Sequence, residues 1–315
     1  MRQWLRQCRL VIGKNGQGLD LSQLRITFDV KKDDQSTPNS ARICVYNPAP
    51  DTINRALKEF DTVSLDAGYT DGMGLIYAGN LIQVRRLRRG ADIILELSAG
   101  DGDTAYNYGV VSTTLAAGAV NRDKLMALGR GMAVGNVDMA GALLGVGGGR
   151  ALPRGKVLFK PVKDYMREYG RDTGSAVFID SGKLQTIKRD GYLPGTPVEL
   201  APGTGLIGAA QQTLDGVEAS SRLNPEIRIG GLVHIDPAYL VAADTTNVQP
   251  DKKTGKKKTV HQAAGGYYRV ISTHYTGDTH GQAWNVKIVG VAVDVSAKRT
   301  LDTPAPAGGG TNGNQ

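Results

Sequence analysis

Two histidines and an aspartate lie close together near the end of the sequence, as His274, Asp278 and His280. Neutral imidazoles and a carboxylate are ligands that suit a transition metal. The residues between them, however, have the composition of a hairpin turn, because Asp and Thr side chains there can bond to nearby backbone groups. The turn is the favoured interpretation, and we predict neither a metal site nor a cofactor in this chain.

Other motifs that could do chemistry are incomplete. Asp101 and Asp103 flank a glycine, as in some calcium loops, but no glutamate follows at the spacing that such a loop requires. The glycine-rich stretches 13–18 and 145–149 lack the Lys-Ser/Thr pair of a phosphate-binding loop. No GxSxG, HExxH or strand-linked GxGxxG motif occurs. A catalytic triad is spatial and can be hidden in a sequence, but we expect that the protein is not an enzyme.

The strongest local charge feature is a lysine-rich stretch at 252–258. The chain has a formal net charge of +8 and a pI of about 9.4, which allows contact with nucleic acid, anionic lipid or an acidic protein. Because no aromatic residue interleaves the lysines, a stacking platform for single strands is not supported, and a solvated hairpin tip is the more common case. The candidate partner-contact residues, from two polar loops, are Lys31, Lys32, Asp33, Asp34, Lys252, Lys253, Lys256, Lys257 and Lys258.

The composition indicates a protein with many turns. The chain has 315 residues, enough for two or three domains, and its 42 glycines outnumber all the aromatic residues together. The two cysteines, Cys8 and Cys44, lie in strand-like runs without metal-binding spacing, which favours a reduced, intracellular site of folding. The N-terminal apolar run is too short for a signal peptide, and we predict no membrane span.

Alternating apolar residues predict antiparallel strands in the first and last thirds of the chain. Strands with one dry and one wet face are typical of antiparallel sheets and barrels. A polar loop is predicted at 31–40, and a short helix capped by Asp51 carries Ile53, Leu57 and Phe60. The clearest alternating runs are 8–12, 24–30, 42–46, 63–67, 75–84, 93–97, 267–275 and 284–295.

The middle of the chain predicts a small α+β unit. Pro161 suits the first turn of a helix, and the stretch 180–182 suits a hairpin turn between two strand-like runs. Gly174 lies just past the predicted end of the helix. The apolar face of this helix consists of Val162, Tyr165, Met166 and Tyr169, spaced as neighbours on one side.

The two β-rich ends share an order of elements: a strand, a loop, a strand, a turn and a strand that ends near an aspartate. This order fits duplication of one barrel domain, and it also fits two unrelated sheets that share common hairpin patterns. We predict a mainly β fold with two antiparallel β-barrels and a small α+β domain. The predicted boundaries are 1–104 for the first barrel, 105–198 for the middle domain, 199–297 for the second barrel and 298–315 for a disordered tail.

Several short stretches, in order along the chain, resemble one known family. In the first part they include ITFDV (26–30), STPN (36–39), VSLDAGY (63–69), IYAG (76–79) and AGDG (99–102). In the last part they include GLIG (205–208), LNPEIRIG (223–230), YRVIS (268–272) and HYTGD (274–278). These stretches, with the helix and hairpin at 162–187, resemble the tail-hub or baseplate-hub proteins of contractile-tailed phages. The glycine-rich 129–149 and the lysine stretch fit less well.

The resemblance implies a fold of two tail-tube-like β-barrels with an α+β domain, and a homotrimer. Three chains with two similar barrels each would form a ring of six barrels, which can meet a sixfold tail tube on one face and a threefold central spike on the other. The implied role is a structural bacteriophage protein of the virion tail baseplate, assembled in the host bacterial cytoplasm. The implied partners are tail tube or tube-initiator proteins, the spike, other baseplate proteins, and the DNA and tape-measure protein that pass through the channel.

Two functions of other classes remain alternatives. A β-barrel protein that binds nucleic acid would bind generic DNA in a salt-dependent way through the lysines at 252–258. A tail component that degrades cell wall would depend on His274, Asp278 or His280.

Overall fold

The computed structural model of the chain describes residues 5–14, 17–133, 137–138, 149–213, 216–241 and 266–293. The strands are β1 (Arg6–Lys14), β2 (Gln17–Asp20), β3 (Ile26–Asp33), β4 (Ser40–Tyr46), β5 (Thr62–Tyr69), β6 (Gly72–Arg89), β7 (Asp92–Gly100), β8 (Val110–Leu115), β9 (Lys156–Pro161), β10 (Ser175–Asp180), β11 (Lys183–Lys188), β12 (Val198–Leu200), β13 (Ala210–Gln212), β14 (Gly216–Arg222), β15 (Leu232–Ile235), β16 (Leu240–Val241), β17 (Tyr267–Asp278) and β18 (Trp284–Ala292). The helices are α1 (Pro50–Lys58), α2 (Asp103–Tyr108), α3 (Asn121–Met132) and α4 (Val162–Thr173), with short 3-10 helices at Pro202–Thr204 and Pro237–Tyr239. Strands dominate, which confirms the predicted mainly β fold with α+β character.

Most of the strands belong to one sheet. Along its hydrogen-bonded path the order is β16-β13-β14-β18-β17-β3-β4-β7-β6-β5-β1-β2, and β15 pairs with both β17 and β12. Two separate two-stranded ladders, β8–β9 and β10–β11, lie in the middle of the chain. Because β17 and β3 are neighbours, the N-terminal and C-terminal parts share one sheet, a connection that the prediction of two barrels did not include.

Two sets of five strands in this sheet have the same topology. The first module consists of β3, β4, β5, β6 and β7, and the second module consists of β13, β14, β15, β17 and β18. The spatial order is β3-β4-β7-β6-β5 in the first module and β13-β14-β18-β17-β15 in the second, and every pair in both is antiparallel. The shared order favours duplication of one unit over two unrelated sheets.

A β-bulge lies at the same place in both modules. The pairing of β6 with β7 skips Ile82, and the pairing of β17 with β18 skips Ile271. In the first module β5 begins opposite Asn80, and in the second module β15 begins opposite Arg269. Each of these two residues lies two positions before the bulge of its strand. Common hairpin patterns do not require a bulge at one fixed position, so this agreement supports the correspondence of the modules strand by strand.

The apolar faces pack into two separate cores. The larger core collects buried residues of both modules, and Val30 of β3 and Tyr275 of β17 lie directly opposite each other in it. The residues of the smaller core come from the part of the sequence between Ala105 and Leu184. The elements that supply them, which we term the middle unit, are α2, β8, α3, β9, α4, β10 and β11. The apolar surface that such cores remove from water stabilises a fold by about 25 cal/mol per Å². The predicted domain boundaries are not tested by these cores and stay predictions.

The predicted helix of the middle unit is confirmed. Pro161 precedes the first residue of α4, and Gly174 ends the helix with a positive φ of 64°. The predicted turn between β10 and β11 is also confirmed, because Ser181 and Gly182 both have positive φ. Among the residues that the structure describes, no helix is long and apolar enough to cross a membrane. The predicted apolar face of α4 is buried in full, as Val162, Tyr165, Met166 and Tyr169.

Two local predictions are corrected. The polar loop predicted at 31–40 is shorter, because β3 continues to Asp33 and β4 begins at Ser40. The physical reason is that β17 pairs with β3 as far as Asp33 and holds these polar residues in a strand. In α1, which follows Ala49 rather than a capping Asp51, the side chain of Leu57 is 45% exposed and does not join the core.

A buried carboxylate connects the first module to the middle unit. Asp101 follows β7, is fully buried, and accepts hydrogen bonds from the backbone N–H groups of Ser181 and Gly182, the latter at 2.8 Å. Nearby, Asn39 donates to the carbonyl oxygen of Ile179 at 2.8 Å. Burial raises the pKa of Asp101 to about 6, although its backbone hydrogen bonds act in the opposite direction. The connection is therefore sensitive to the protonation of one side chain.

We expect the substitution D101N to reveal this sensitivity. Because the folded pKa of Asp101 is raised, protonation stabilises the wild type at low pH, and that stability is lost as the pH rises through about 6. The wild-type advantage in free energy of unfolding over D101N should therefore fall between pH 4 and pH 7, by on the order of 1–3 kcal/mol. Urea denaturation at several pH values measures this difference. The exposed Asp164 of α4 supplies the control D164N, and an advantage over D101N that is flat or rises with pH contradicts the expectation.

Candidate functional site

One face of the shared sheet is polar across seven adjacent strands, β14-β18-β17-β3-β4-β7-β6, and we term it the polar face. Every residue in its central row has a polar side chain that is exposed or half-buried. The row crosses from the second module to the first without a break. It runs through directly opposite residues of the seven strands: Arg222, Asn285, Thr276, Asp29, Arg42, Ser98 and Gln83.

Next to this row, the opposite face of the same strands is apolar and forms part of the larger core. Because successive side chains of a strand point to opposite faces, a shift of one residue in register would exchange the two faces. The polar face therefore depends on the register with which all seven strands pair. The row next to the polar one runs through Trp284, Gly277, Phe28, Ile43, Leu97 and Val84.

Cross-strand ion pairs organise the part of the polar face in the first module. Glu96 of β7 accepts a hydrogen bond from Nε of Arg42 at 2.7 Å, and it lies 3.8 Å from Nε of Arg85. The Glu96 side chain is 5% exposed, whereas those of Arg42 and Arg85 are 61% and 52% exposed. One nearly buried carboxylate thus orients two arginines that remain in solvent, so this part of the face presents positive charge.

Polar contacts also cross the junction between the modules. The Nε2 atom of His274 lies 2.8 Å from Oδ2 of Asp29, and Arg25 donates to Oδ2 of Asp278 at 2.7 Å. The hydrogen bond from Arg25 lowers the pKa of the Asp278 carboxyl below its ordinary value. Arg6 donates to the carbonyl oxygen of residue 281 at 2.6 Å. Two arginines from the N-terminal part thus hold the turn between β17 and β18.

The predicted contact residues Lys31 and Lys32 lie on opposite faces of β3. Lys31 is exposed on the polar face and lies opposite His274. Lys32 is 7% exposed, and its Nζ atom lies 2.6 Å from Oδ1 of Asp180 and 3.1 Å from Oγ of Ser181. The structure thus corrects the prediction of an exposed loop at Lys32, because this ion pair holds the first module on the middle unit.

The other predicted contact residues have different environments. Asp33 accepts a hydrogen bond from the backbone N–H of Gln35 at 3.0 Å. Asp34 lies 3.3 Å from Arg269, whose side chain is 6% exposed, so Asp34 also serves a contact within the chain. Partner contact remains a prediction for the exposed Lys31 and the half-buried Asp33. The five predicted lysines of the second loop, Lys252, Lys253, Lys256, Lys257 and Lys258, lie outside the described residues.

The three residues considered as metal ligands have separate partners. His274 bonds to Asp29, Asp278 bonds to Arg25, and the ring of His280 lies 3.1 Å from the Thr279 hydroxyl. The backbone N–H of His280 donates to Asp278 at 2.9 Å, which confirms the turn interpretation. In the part of the chain that the structure describes, no three His, Cys, Asp or Glu side chains are grouped to hold a metal ion.

Four arginines of β6 were not among the residues predicted from the sequence. Arg85, Arg86, Arg88 and Arg89 are all exposed, and strand alternation divides them between the two faces. The available signal was four arginines within five residues. These residues form, with β7, the part of the first module that follows the bulge at Ile82.

Comparison with known proteins identifies the fold. No family model and no curated protein matches the sequence. A 43 kDa tail protein of prophage MuSo2 from Shewanella oneidensis is similar in structure, with a TM-score of 0.55 and 9% identity over 91% of this chain and 98% of that chain. A tail protein from Neisseria meningitidis MC58 is similar with a TM-score of 0.56 and 8% identity, over 91% of this chain and 97% of that chain.

A third similar structure belongs to a secretion system. The E. coli c3393 protein is a component of the type VI secretion system and exhibits structural similarity to the T4 bacteriophage tail proteins gp27 and gp5. Its TM-score is 0.55 at 10% identity, over 91% of this chain and 77% of that chain. The chain therefore has the fold of phage tail proteins, and the resemblance found in the sequence is confirmed at the level of the fold.

We expect the substitution G277A to weaken the junction between the modules. A Cβ atom on Gly277 would lie 2.2 Å from the ring of Phe28, which packs edge-on against Trp284 at 5.4 Å. The free energy of unfolding should fall by about 1–3 kcal/mol, as in other overpacked cores. Gly203, where an added Cβ meets no atom within 4 Å, supplies the control G203A in the same denaturation experiment. Equal stability of the two variants would contradict this account of the junction.

Proposed function

We propose, from the phage-tail fold of this chain, that it is the structural hub of a phage tail baseplate. In this proposal three copies form a ring of six modules that joins a sixfold tail tube to a threefold central spike. The ring surrounds a channel for DNA and the tape-measure protein. The observation that carries the proposal is the internal junction between β17 and β3, together with an equivalent strand edge that is left open on β6.

The open edge follows from the correspondence of the modules. After its bulge, β17 pairs with β3 from Ser272 to Asp278. The equivalent segment of β6, residues 83–89, pairs with β7 on one side, and no other strand of the described chain pairs with its second side. Unpaired strand edges are templates for pairing with another chain. The edge of β6 is thus positioned to repeat between two chains the junction that exists within one chain.

The modules also define the strand that would receive this edge. Asp29 of β3 lies opposite Arg42 of β4. The equivalent of Asp29 in the second module is Gln211 of β13, which lies opposite Glu218 of β14. Thr276 pairs with Asp29 inside the chain. Counted from the bulge of each strand, the residue of β6 that is equivalent to Thr276 is Leu87. The same geometry between chains therefore places Leu87 opposite Gln211 of the next copy. The strand β16 covers this edge of β13 through two residue pairs only, so it is a weak competitor.

Repeated head-to-tail pairing of this kind must either close into a ring or continue as a filament. Each chain contributes two modules, so closure after three chains gives six modules in a ring in which the segment 83–89 of every β6 is paired. We assign the polar face to the channel, because it offers hydrogen-bonding groups and mixed charge rather than apolar contacts to a passing polymer. The E. coli protein of this fold exhibits structural similarity to two T4 tail proteins, gp27 and gp5, which supports assembly with other tail proteins.

We also propose that the chain is not an enzyme, because the solved structures that share its fold are tail proteins and its sequence lacks the catalytic motifs considered above. Contact with nucleic acid is a second candidate function, favoured by the four exposed arginines of β6. Such contacts would be insensitive to sequence and would weaken as salt rises. In the ring, Arg85 and Arg89 would face the channel. The same two side chains could then line the channel of the hub and contact nucleic acid.

The mass of the purified chain in solution tests the ring. Light scattering or native mass spectrometry should find a species three times the 33.4 kDa chain, alone or with a spike protein. A chain that stays monomeric in both conditions contradicts the proposal.

Cysteine cross-linking tests the register. The double variant L87C/Q211C should form disulfides between chains under mild oxidation, since directly opposite residues have Cβ atoms about 4.5–5.5 Å apart. The variant R88C/Q211C is the matched control, because Arg88 points to the other face. Native thiols should compete little, as burial raises the pKa of Cys8 to about 12 and also raises that of Cys44. Equal cross-linking of the two variants would contradict the register.

A further inference from the structure

The outer edge of β13 has a neighbour within its own chain. On one side β13 pairs antiparallel with β14, and on the other side it pairs parallel with β16, through Ala210 opposite Leu240 and Gln211 opposite Val241. The equivalent edge strand of the first module is β3, which pairs antiparallel with β17 over seven residue pairs. The same edge is therefore covered in both modules, by a long strand in the first and by a two-residue strand in the second.

The burial of the two edge strands supports their equivalence. Because Asp29 corresponds to Gln211, the residue before it, Phe28, corresponds to Ala210. Phe28 and Ala210 are both buried in the larger core, whereas Asp29 is half-buried and Gln211 is exposed. The two strands therefore turn the same positions inward and outward, as a common register requires.

The proposed ring and β16 require the same side of β13. The ring register places Leu87 of one copy opposite Gln211 of the next, and antiparallel pairing then places Arg88 opposite Ala210. Ala210 and Gln211 are the two residues that β16 occupies. The backbone hydrogen-bonding groups on one side of a strand can serve one neighbouring strand at a time. The strand β16 must therefore leave β13 before β6 of another copy can pair there.

The strand β16 is held by few contacts. Val241 is 54% exposed and Tyr239 before the strand is 37% exposed, while the half-buried Leu240 packs against the larger core. The turn that leads into β16 is fixed by Asp236, whose side chain accepts a hydrogen bond from the backbone N–H of Ala238 at 2.8 Å. Parallel pairs are slightly less stable per residue than antiparallel pairs. Exchange of two parallel pairs for a ladder like that of β17 with β3 therefore favours pairing between copies.

We propose that Leu240 and Val241, which we term the edge cover, block self-assembly of the single chain and are replaced on β13 by β6 of a second copy when the ring forms. This inference rests on the proposed hub ring and adds a step that restrains its assembly. Open strand edges pair with other chains and lead to aggregation. A cover of two residues protects the edge of the free chain and is still short enough to be exchanged for the correct strand.

A disulfide that locks the edge cover tests the proposal. In the variant Q211C/V241C the cysteines replace directly opposite, exposed residues, and neighbouring strands lie about 4.7–4.9 Å apart, within the range that a disulfide bridges. The oxidised variant should form roughly tenfold less trimer than the wild type in native mass spectrometry, because the edge that receives β6 is blocked. Reduction with dithiothreitol should restore the trimer. The matched control E199C/H234C links a parallel pair of β12 and β15 and should assemble even when oxidised.

Weakening the edge cover should have the opposite effect. The variant L240G/V241G removes the packing of Leu240 and lowers the strand propensity of both positions. The chain concentration at which half of the chains are trimeric should fall by roughly threefold or more, because β6 then meets less competition. The matched control V198G/E199G makes the same change in the short parallel strand β12 and should leave this concentration unchanged. The thermal unfolding temperatures of both variants verify that they remain folded.

The outcomes separate the edge cover from the ring itself. A wild type and an oxidised Q211C/V241C that form trimers equally overturn the cover and leave the ring intact. An unchanged half-assembly concentration for L240G/V241G overturns the cover as well. Trimers of L240G/V241G under conditions where the wild type is monomeric support both the cover and the ring. If the wild type and L240G/V241G are both monomeric alone, the cover is overturned, and the mass measured with a spike protein then decides the ring.

Discussion

The antiparallel pairing of β17 with β3 is the interaction on which the rest of the structure depends. It joins residues 272–278 to residues 27–33 and makes one sheet from two modules that are far apart in sequence. The bulge at Ile271 is where β17 changes its neighbour, because the residues before it pair with β15 and the residues after it pair with β3. A bulge bends and twists a strand, which allows one strand to serve two sheet regions. The polar face, the common core and the open edge of β6 all follow from this arrangement.

The middle unit is attached by a different kind of interaction. Asp101, which is fully buried, and Lys32, which is nearly buried, bind the turn between β10 and β11. A buried carboxylate is costly unless hydrogen-bond donors satisfy it, and here two backbone N–H groups offset part of that cost. Polar groups of this kind fix one orientation, whereas apolar contact alone tolerates sliding. The attachment of the middle unit is thus specific in geometry, while the union of the two modules rests on a long strand ladder.

The fold is shared with tail proteins at 8–10% identity, and the physical basis is visible in this chain. Alternation of polar and apolar residues defines the two faces of a strand, and many sequences satisfy it. Only a few positions demand one residue, such as Gly277, where any side chain would meet the ring of Phe28. A topology of alternating strands with bulges at fixed places can therefore persist after residue identity is lost. Function need not persist with it, because it depends on the surfaces that each chain presents.

The sequence alone determined the local elements and the class of the fold. Alternation located most strands, α4 and the turn at 180–182 were recognised from spacing and turn residues, and ordered short patches indicated the phage-tail fold. The candidate site was only partly predictable. Lys31, which lies on the polar face, was among the predicted contact residues of a loop, but the arginines of β6 and the pairing partners of His274 and Asp278 were not predicted. Only the tertiary structure decided that Lys32 is a buried residue of a strand and that β17 lies beside β3. The physical reason is that backbone hydrogen bonds between strands are alike for every residue, so the choice of neighbour rests on packing between segments about 245 residues apart.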